Sequence, residues 1–448
     1  MLKRLDRGAG GLVPISSLPS PYGIGTMGRE AYKFTDELVK AGQKYWQVLP
    51  VGPTGYGDSP YQSFSAFAGN PYFIDLDGLI KDELLKPEEV EGISWFVTEE
   101  YVEYQTLYEN RFPLLRKAFK RWKKKKSGGY QKFVKENTFW LEDYALFMAC
   151  KEEFGQKEWT AWDDDIKNRE PEAMDRYREK LEDEMDFWKF LQFRFFKEWN
   201  KLKKYVNGKE IQIIGDIPIY VARDSADVWA NRGLFVLDEK GFPTEVAGCP
   251  PDYFSADGQL WGNPVYNWAA HKAENYAWWI WRMKSNMALF DVVRLDHFRG
   301  FAAYWEVGAD EETAINGKWR KGPGMELFNA IEKALGPVPL IAEDLGVQTD
   351  EVKELLEASG FPGMRVLIFG FTPDYDNEHL PHNYKPNSIV YTSTHDSQTV
   401  CEQIMDICSE PEKQFAYRYL RTSHAEAMGW SAIKCVWASS ANIAMTTL

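Results

Sequence analysis

The segment 290–300, which reads FDVVRLDHFRG, constrains the fold of this chain more than any other stretch. It begins with an apolar, β-branched run and then turns to charge at Arg294, Asp296, His297 and Arg299. Such a run is typical of a buried strand in a parallel sheet. Because parallel α/β proteins place their chemistry at the carboxyl ends of strands, the segment predicts a strand with a functional site at its end.

The same pattern occurs three more times along the chain. The three apolar runs and the residues that follow them are Ile211–Gly215 with Asp216, Val338–Ala342 with Glu343 and Asp344, and Ser388–Thr394 with His395 and Asp396. Their spacing suits one or two βα units each, some with insertions. The recurrence predicts four strands of one (β/α) barrel whose carboxylates meet at one rim.

Length and charge limit the classes of protein that this chain can belong to. A barrel with insertions reaches 448 residues as one domain, and we expect a single catalytic domain over 1–448. The 53 Lys and Arg against 67 Asp and Glu give a net charge of −14. An acidic surface argues against nucleic acid or an anionic membrane as the main partner and suits a neutral substrate. The 15% aromatic residues fit either a large core or platforms for sugar rings.

The cysteines and the apolar stretches indicate the cellular compartment of the protein. Five cysteines without a CxxC pair indicate neither a disulfide framework nor a metal site, and they favour a reducing cytoplasm. The first residues lack the apolar core of a signal peptide, and no apolar stretch reaches 18 residues. We therefore expect a cytoplasmic protein that spans no membrane and needs no metal or other cofactor.

The first quarter of the chain contains one motif that invites a different interpretation. Residues 1–30 are rich in Gly, Pro and Ser and predict loop, and 23–28 match GxGxxG. A dinucleotide fingerprint needs a strand directly before it, which a Pro-rich loop does not provide, so we predict a surface turn. A helix over 31–41 and a strand over 44–51 follow, and then a Gly- and Tyr-rich candidate substrate loop over 52–63.

Two long segments interrupt the barrel pattern. Residues of about 79–206 are helical and highly charged, which predicts an inserted helical subdomain. Residues of about 221–270 show few strand or helix periods and many aromatics, which predicts an irregular, lid-like insertion. The alternation then resumes, with predicted helices over 271–289, 325–335, 349–359 and 423–438 and predicted strands over 364–369 and 441–448.

The carboxylates at the strand ends suit the cleavage of a glycosidic bond. Two carboxyl groups are sufficient, one as nucleophile and the other as acid and then base. Arg294 would keep Asp296 ionised, whereas burial would protonate Glu343 for the acid role. Two other readings stay open at this point, namely a metal site and, above all for Asp216, the N-cap of the following helix. We assign the cap role to Asp344.

Several motifs resemble the signature regions of one known family. The motifs are RLDHFRG (294–300), AEDLG (342–346), THD (394–396), GDIPIYVARDSADVW (215–229), GPTGYGDSPYQS (52–63) and PPDYFSADGQLWGNPVYNW (250–268). In this order and over nearly the whole chain they resemble the 4-α-glucanotransferases, also called amylomaltases or disproportionating enzymes. These form family 77 of the glycoside hydrolases, which is related to the α-amylases.

The resemblance implies a (β/α)8 barrel with inserted helical subdomains and without the C-terminal β-domain of amylases. It implies a retaining double displacement on α-1,4-glucans such as maltooligosaccharides, glycogen or starch dextrins. Asp296 would be the nucleophile, Glu343 the acid/base and Asp396 the transition-state stabiliser. The residues implied in substrate binding are Arg294, His395, Ser59, Tyr61, Asp216, Tyr253, Phe254 and Trp261. The family continues beyond the last predicted strand, so we expect the natural protein to extend past Leu448.

Two other functions are compatible with these residues. An α-glucan hydrolase, or a branching or debranching enzyme, would use the same barrel and the same carboxylates. A non-catalytic glycan-binding barrel would not need an acid, a nucleophile and a stabiliser together, and the three carboxylates argue against it.

Overall fold

The computed structural model describes residues 5–55, 57–96, 98, 100–125, 129–251, 255–346, 348–422 and 425–448. The strands are β1 (Gly8–Leu12), β2 (Tyr45–Gln47), β3 (Gln212–Ile217), β4 (Glu245–Cys249), β5 (Gln259–Pro264), β6 (Val292–Leu295), β7 (Ala303–Gly308), β8 (Lys318–Lys321), β9 (Leu340–Ala342), β10 (Gly363–Val366), β11 (Ser388–Tyr391) and β12 (Ile443–Thr447). They form two sheets, of which the first is a closed barrel and the second has four strands.

The helices cover most of the remaining described chain. They are α1 (Arg29–Lys40), α2 (Leu76–Lys81), α3 (Tyr104–Lys125), α4 (Tyr130–Glu136), α5 (Thr138–Glu153), α6 (Asp164–Lys167), α7 (Pro171–Lys180), α8 (Glu182–Gly208), α9 (Ala226–Ala230), α10 (Trp268–Ala273), α11 (Ala277–Leu289), α12 (Met325–Leu335), α13 (Asp350–Ser359), α14 (Val400–Glu402), α15 (Glu410–Leu420) and α16 (Ala425–Trp437). None of the helices in the described ranges is long and apolar enough to cross a membrane.

Eight parallel strands close the barrel in the order β1-β12-β11-β10-β9-β6-β3-β2, which confirms the predicted fold class. The register decides which side chains meet at the rim. Asp216 in β3 pairs with Arg294 in β6, so these two side chains are neighbours. Leu295 pairs with Ala342, and the next residues on the two strands are Asp296 and Glu343. The four predicted strand ends therefore lie at one rim, as the apolar runs indicated.

The prediction of loop over residues 1–30 is wrong for β1, a barrel strand of sequence GAGGL. A Cβ built on Gly10 would lie 2.4 Å from the carbonyl oxygen of Tyr45 in β2, so only glycine allows the two backbones to approach this closely. A strand made mostly of glycine lacks the β-branched residues on which the strand prediction depends, so it was not recognised in the sequence. The GxGxxG segment is a turn, with Gly23 at φ +79°, but it is buried rather than at the surface.

The region between β2 and β3 is helical as predicted, from α2 to α8. Its longest helix, α8, packs against α5 and reaches the barrel through Trp199. The indole of Trp199 donates to the carbonyl of Leu289 at 2.9 Å and packs edge-on against Phe290, at the start of the strand that carries Asp296. The treatment of these helices as a separate inserted subdomain stays a prediction.

The segment 221–270 is more regular than we predicted. Strands β4 and β5 join β7 and β8 in an antiparallel sheet of order β5-β4-β7-β8. Gly and Pro occur in β5, a register shift interrupts β4, and all four residues of β8 are exposed, so the hydrophobic pattern of these strands is weak. The predicted helix 271–289 is two helices, because the backbone of Asn275 and Tyr276 is left-handed.

The last strand, β12, lies between β1 and β11 and confirms the prediction of a barrel strand over 441–448. Helices α12 and α13 and the described part of α16 lie where the sequence predicted them. Helix α15 and the π-helical turn Gln403–Ile407 after α14 were not predicted.

Candidate active site

The ends of β6, β9 and β11 bring three carboxylates to one cleft of about 580 Å³. The residues that line it are Ser59, Tyr61, Gln62, Pro218, Ile219, Tyr220, Gln259, Trp261, Asn263, Asp296, His297, Glu343 and Asp396. Six residues predicted from the sequence are therefore together here: Asp296, Glu343, Asp396, Ser59, Tyr61 and Trp261. Asp216, Arg294 and His395 contact members of this set from below, and Tyr253 and Phe254 lie outside the described residues.

Arg294 holds two carboxylates beneath the cleft. Its Nη1 lies 2.7 and 2.8 Å from the two carboxylate oxygens of Asp216 and 2.9 Å from Oδ1 of Asp296. Its Nε lies 3.3 Å from the sulfur of Met364. Burial alone would lower the pKa of Arg294, but the two carboxylates outweigh it and raise the pKa, so the guanidinium stays charged. Asp216 caps no helix, so the alternative of an N-cap is wrong for this residue.

Tyr61 connects this ion pair to the third strand end. Its hydroxyl donates to Oδ2 of Asp216 at 2.8 Å and lies 2.5 Å from Nε2 of His395, on whose ring the tyrosine stacks. Burial, followed by the charge of Asp216, raises the pKa of Tyr61, so the phenol stays protonated. Nε2 of His395 also lies 3.1 Å from Oδ2 of Asp396. The chain of contacts from Arg294 to Asp396 fixes the positions of these side chains.

Glu343 is held by two backbone N–H groups. Its Oε2 accepts from the N–H of His297 and its Oε1 from that of Leu345, both at 2.8 Å. The backbone of His297 is left-handed, at φ +49°, which is uncommon for a residue other than glycine. Burial and then the neighbouring charge of Asp296 raise the pKa of Glu343 to about 7, against the opposing effects of Arg294 and the two N–H groups. Near neutral pH a large fraction of this carboxyl group is protonated.

Asp296 and Asp396 differ from Glu343 in exposure. Asp296 exposes 27% of its side chain to the cleft. Burial, with the charges of Asp216 and Asp396, raises the pKa of Asp296 to about 6, while Arg294 opposes the rise. At pH 7 Asp296 is therefore mostly ionised, but its pKa lies closer to 7 than the adjacent Arg294 led us to expect. The side chain of Asp396 is 70% exposed. Partial loss of hydration in the cleft acts to raise the pKa of Asp396, but its hydrogen bond to His395 outweighs this effect and lowers the pKa below its usual value.

The sequence analysis missed three amide side chains of the cleft, Gln62, Gln259 and Asn263, and misassigned one carboxylate. Nε2 of Gln62 donates to Oδ1 of Asn263 at 3.0 Å, which joins the loop after β2 to β5. All three residues lie inside the quoted motifs, but a lone amide gives no chemical signal in a sequence. Asp344 does not cap α13. It accepts from the N–H of Met364 and pairs with Arg365 at 3.0 Å, so it fixes the start of β10.

Comparisons with known proteins agree with this geometry. A family model described as 4-alpha-glucanotransferase, glycoside hydrolase family 77, matches residues 13–448. The 4-alpha-glucanotransferase of Clostridium butyricum is 49% identical over 96% of this chain and 88% of its own length. That of Aquifex aeolicus is 47% identical over 98% and 89%. The structure of the amylomaltase of Streptococcus agalactiae in complex with acarbose is 43% identical, with a TM-score of 0.96, and the match covers 99% of this chain and 90% of that chain.

A closed barrel with neighbouring carboxyl groups at the carboxyl ends of its strands fits an enzyme of the glycoside hydrolase class. The family model and the relatives identify one family within this class, because each of them matches nearly the whole chain. The chain belongs to family 77 of the glycoside hydrolases, the 4-alpha-glucanotransferases.

Proposed function

We propose that this enzyme transfers segments of α-1,4-glucans between maltooligosaccharides by a retaining double displacement. The observation that carries the proposal is the unequal environment of two neighbouring carboxyl groups. Asp296 contacts a buried arginine and is mostly ionised at pH 7, whereas the pKa of Glu343 is raised to about 7. A nucleophile must be ionised and a general acid protonated, and the arginine beside Asp296 and the burial of Glu343 favour these two states. The relatives that carry the name 4-alpha-glucanotransferase support the choice of substrate and reaction.

In the first step a carboxylate oxygen of Asp296 attacks the anomeric carbon of a bound glucan. Glu343 gives its proton to the glycosidic oxygen, the bond between carbon and that oxygen breaks, and the leaving chain departs with a free 4-hydroxyl group. The product is an ester between the glucosyl unit and Asp296. Arg294 holds Asp216 and Asp296 in place, and Asp396 stabilises the positive charge that develops on the sugar ring.

In the second step the 4-hydroxyl group of another glucan takes the place of the leaving chain. Glu343, now ionised, removes the proton of this hydroxyl, whose oxygen attacks the anomeric carbon. The ester bond breaks and Asp296 is regenerated as a carboxylate. Two inversions at one carbon give a product with the original α configuration.

Transfer rather than hydrolysis requires that a sugar hydroxyl compete with water at about 55 M, so the acceptor must be held and water excluded. Trp261 provides an apolar surface for this purpose, since its ring packs edge-on against His297 and next to Tyr220 at the cleft. Tyr253 and Phe254 belong to the same segment and are further candidates for contact with the acceptor. We assign Ser59 and Tyr61 to the donor side, together with Arg294 and His395.

Incubation with maltotriose separates the candidate functions. A glucanotransferase produces glucose together with a ladder of longer maltooligosaccharides. A hydrolase produces only maltose and glucose, and a binding protein leaves the substrate unchanged. The Asp296→Asn variant is the control for contaminating activity. Maltose and glucose without longer products from the wild-type protein would refute the transferase function.

A further inference from the structure

Arg282 of α11 lies behind one wall of the catalytic cleft. This wall, Pro218–Tyr220, directly follows the strand that ends near Asp216, and its three residues line the cleft. Nη2 of Arg282 donates to the carbonyl of Pro218 at 2.6 Å and Nη1 to that of Ile219 at 2.9 Å. The hydroxyl of Tyr266 donates to the same carbonyl of Ile219 at 2.8 Å. The wall is therefore held from behind by a guanidinium group and a phenol.

The environment of Arg282 is unusual for a cation. The residue is 2% exposed, and no Asp or Glu of the described residues lies within 4 Å of its guanidinium. The rings of Trp279 and Trp278 lie 4.8 and 5.4 Å from it, and the carboxylate of Asp227 influences it only at longer range. Burial of a cation without an ionic partner is costly, and a neutral side chain would pack here at lower cost. The planar guanidinium of Arg282 has several N–H groups in a fork and can donate to both carbonyl oxygens at once.

The wall packs against residues on both sides of the cleft, so its position affects both sides. The side chain of Ile219 packs so closely on Gly300 that a Cβ there would lie 2.7 Å from it, and Gly300 follows the turn of Asp296 and His297. The ring of Tyr220 stacks on that of Tyr266 and lies 6.3 Å from that of Trp261. A displacement of the wall would therefore move the surface that supports Trp261.

We propose that Arg282 is a positioning residue that fixes the wall Pro218–Tyr220 and thereby determines how well the site favours transfer over hydrolysis. The inference rests on the proposed transferase function. Arg282 is not among the residues that line the catalytic cleft, and it lines a separate cavity of about 50 Å³ together with Asp216 and Pro218. We therefore expect it to act through the two carbonyls and not by contact with the reacting sugar. Lysine at this position would keep the charge but could not hold both carbonyls in the same geometry.

Arg282→Lys and Arg111→Lys form a matched pair for the test. Arg111 is also fully buried, and it donates to the backbone carbonyl of Ile74, among residues that do not line the cleft. Both substitutions should lower the melting temperature. Only Arg282→Lys should lower kcat for transfer from maltotriose, by ~10-fold or more since a displacement of about 1 Å can cost 10²-fold, and raise the fraction of glucose formed by hydrolysis.

Tyr266→Phe provides a second test that leaves the arginine in place. It removes one donor to the carbonyl of Ile219 and should change the product ratio in the same direction, by less than Arg282→Lys. An unchanged ratio in Arg282→Lys, or an equal change in Arg111→Lys, would overturn the proposal. If Arg282→Lys does not fold, an unchanged ratio in Tyr266→Phe overturns it. Absence of longer maltooligosaccharides with the wild-type protein would instead refute the proposed function.

Discussion

Removal of the charge of Arg294 tests whether the ion pair under the cleft determines both stability and ionisation. Arg294→Met keeps much of the length of the side chain and leaves two carboxylates without their cation. The side chain of Asp216 is 0% exposed, and both of its oxygens lie within 2.8 Å of Nη1. Loss of one partner of a buried ion pair costs about 3–5 kcal/mol, so we expect a loss of this size at pH 7.

The loss should depend on pH in a defined direction. Without Arg294, the carboxylate of Asp216 is a buried charge without its cation, and the pKa of Asp296, which burial already raises to about 6, rises further above the value of ~3.9 in the unfolded chain. A carboxyl group whose pKa is raised by folding destabilises the protein when it is ionised. The deficit should therefore be largest at neutral pH and should decrease as the pH falls through the raised values toward 4. Addition of Asp216→Asn to Arg294→Met removes one orphaned charge and should restore part of the stability at pH 7.

Urea denaturation of wild-type protein, both single variants and the double variant at pH 7 and pH 5 measures these changes. A loss below about 1 kcal/mol for Arg294→Met at pH 7 would refute the argument, because exposed ion pairs contribute no more than this. A loss of equal size at both pH values would show that packing and not charge accounts for the effect.

Four further predictions concern the carboxyl groups that follow the barrel strands. Asp296→Asn should lower the turnover of maltotriose by ~10⁴-fold or more with little change in melting temperature, because the nucleophile is lost while its shape is kept. Glu343→Gln should lose turnover on maltotriose but keep the first step with α-glucosyl fluoride, whose leaving group needs no proton. Asp344→Asn should instead lower the melting temperature, because it weakens the hold on Met364. The kcat/KM for maltotriose should decrease below pH about 6 as Asp296 gains a proton, and above pH about 7 as Glu343 loses one; a flat profile between pH 5 and 8 would contradict these assignments.

The strands of the barrel could be predicted from the sequence where they are buried and strongly apolar. In the segment FDVVRLDHFRG the β-branched residues predict a strand, and the charged residues that follow indicate a functional site. The three similar segments show the same pattern. The closed barrel brings their ends to one rim as a matter of topology, so Asp296 and Glu343 could be placed in one cleft without a structure.

The remaining features depend on contacts that are distant in the chain. The glycines of β1 are required by the approach of Tyr45, which no local pattern reveals. Strand β7 is stabilised by pairing with β4, and β8, which has no buried residue, is stabilised by pairing with β7. The role of Asp344 depends on where β10 begins. Arg282, likewise, looks like one more charge on a helix until the carbonyls that it holds are known.

The measurement that tests the central claim most directly is the mass of the trapped intermediate. Glu343→Gln incubated with α-glucosyl fluoride should form the ester but hydrolyse it slowly, so the intact protein should gain the mass of one glucosyl unit. Peptide mapping should place that unit on Asp296. A glucosyl unit on a different carboxylate, or product of inverted configuration without any adduct, would contradict a double displacement through Asp296.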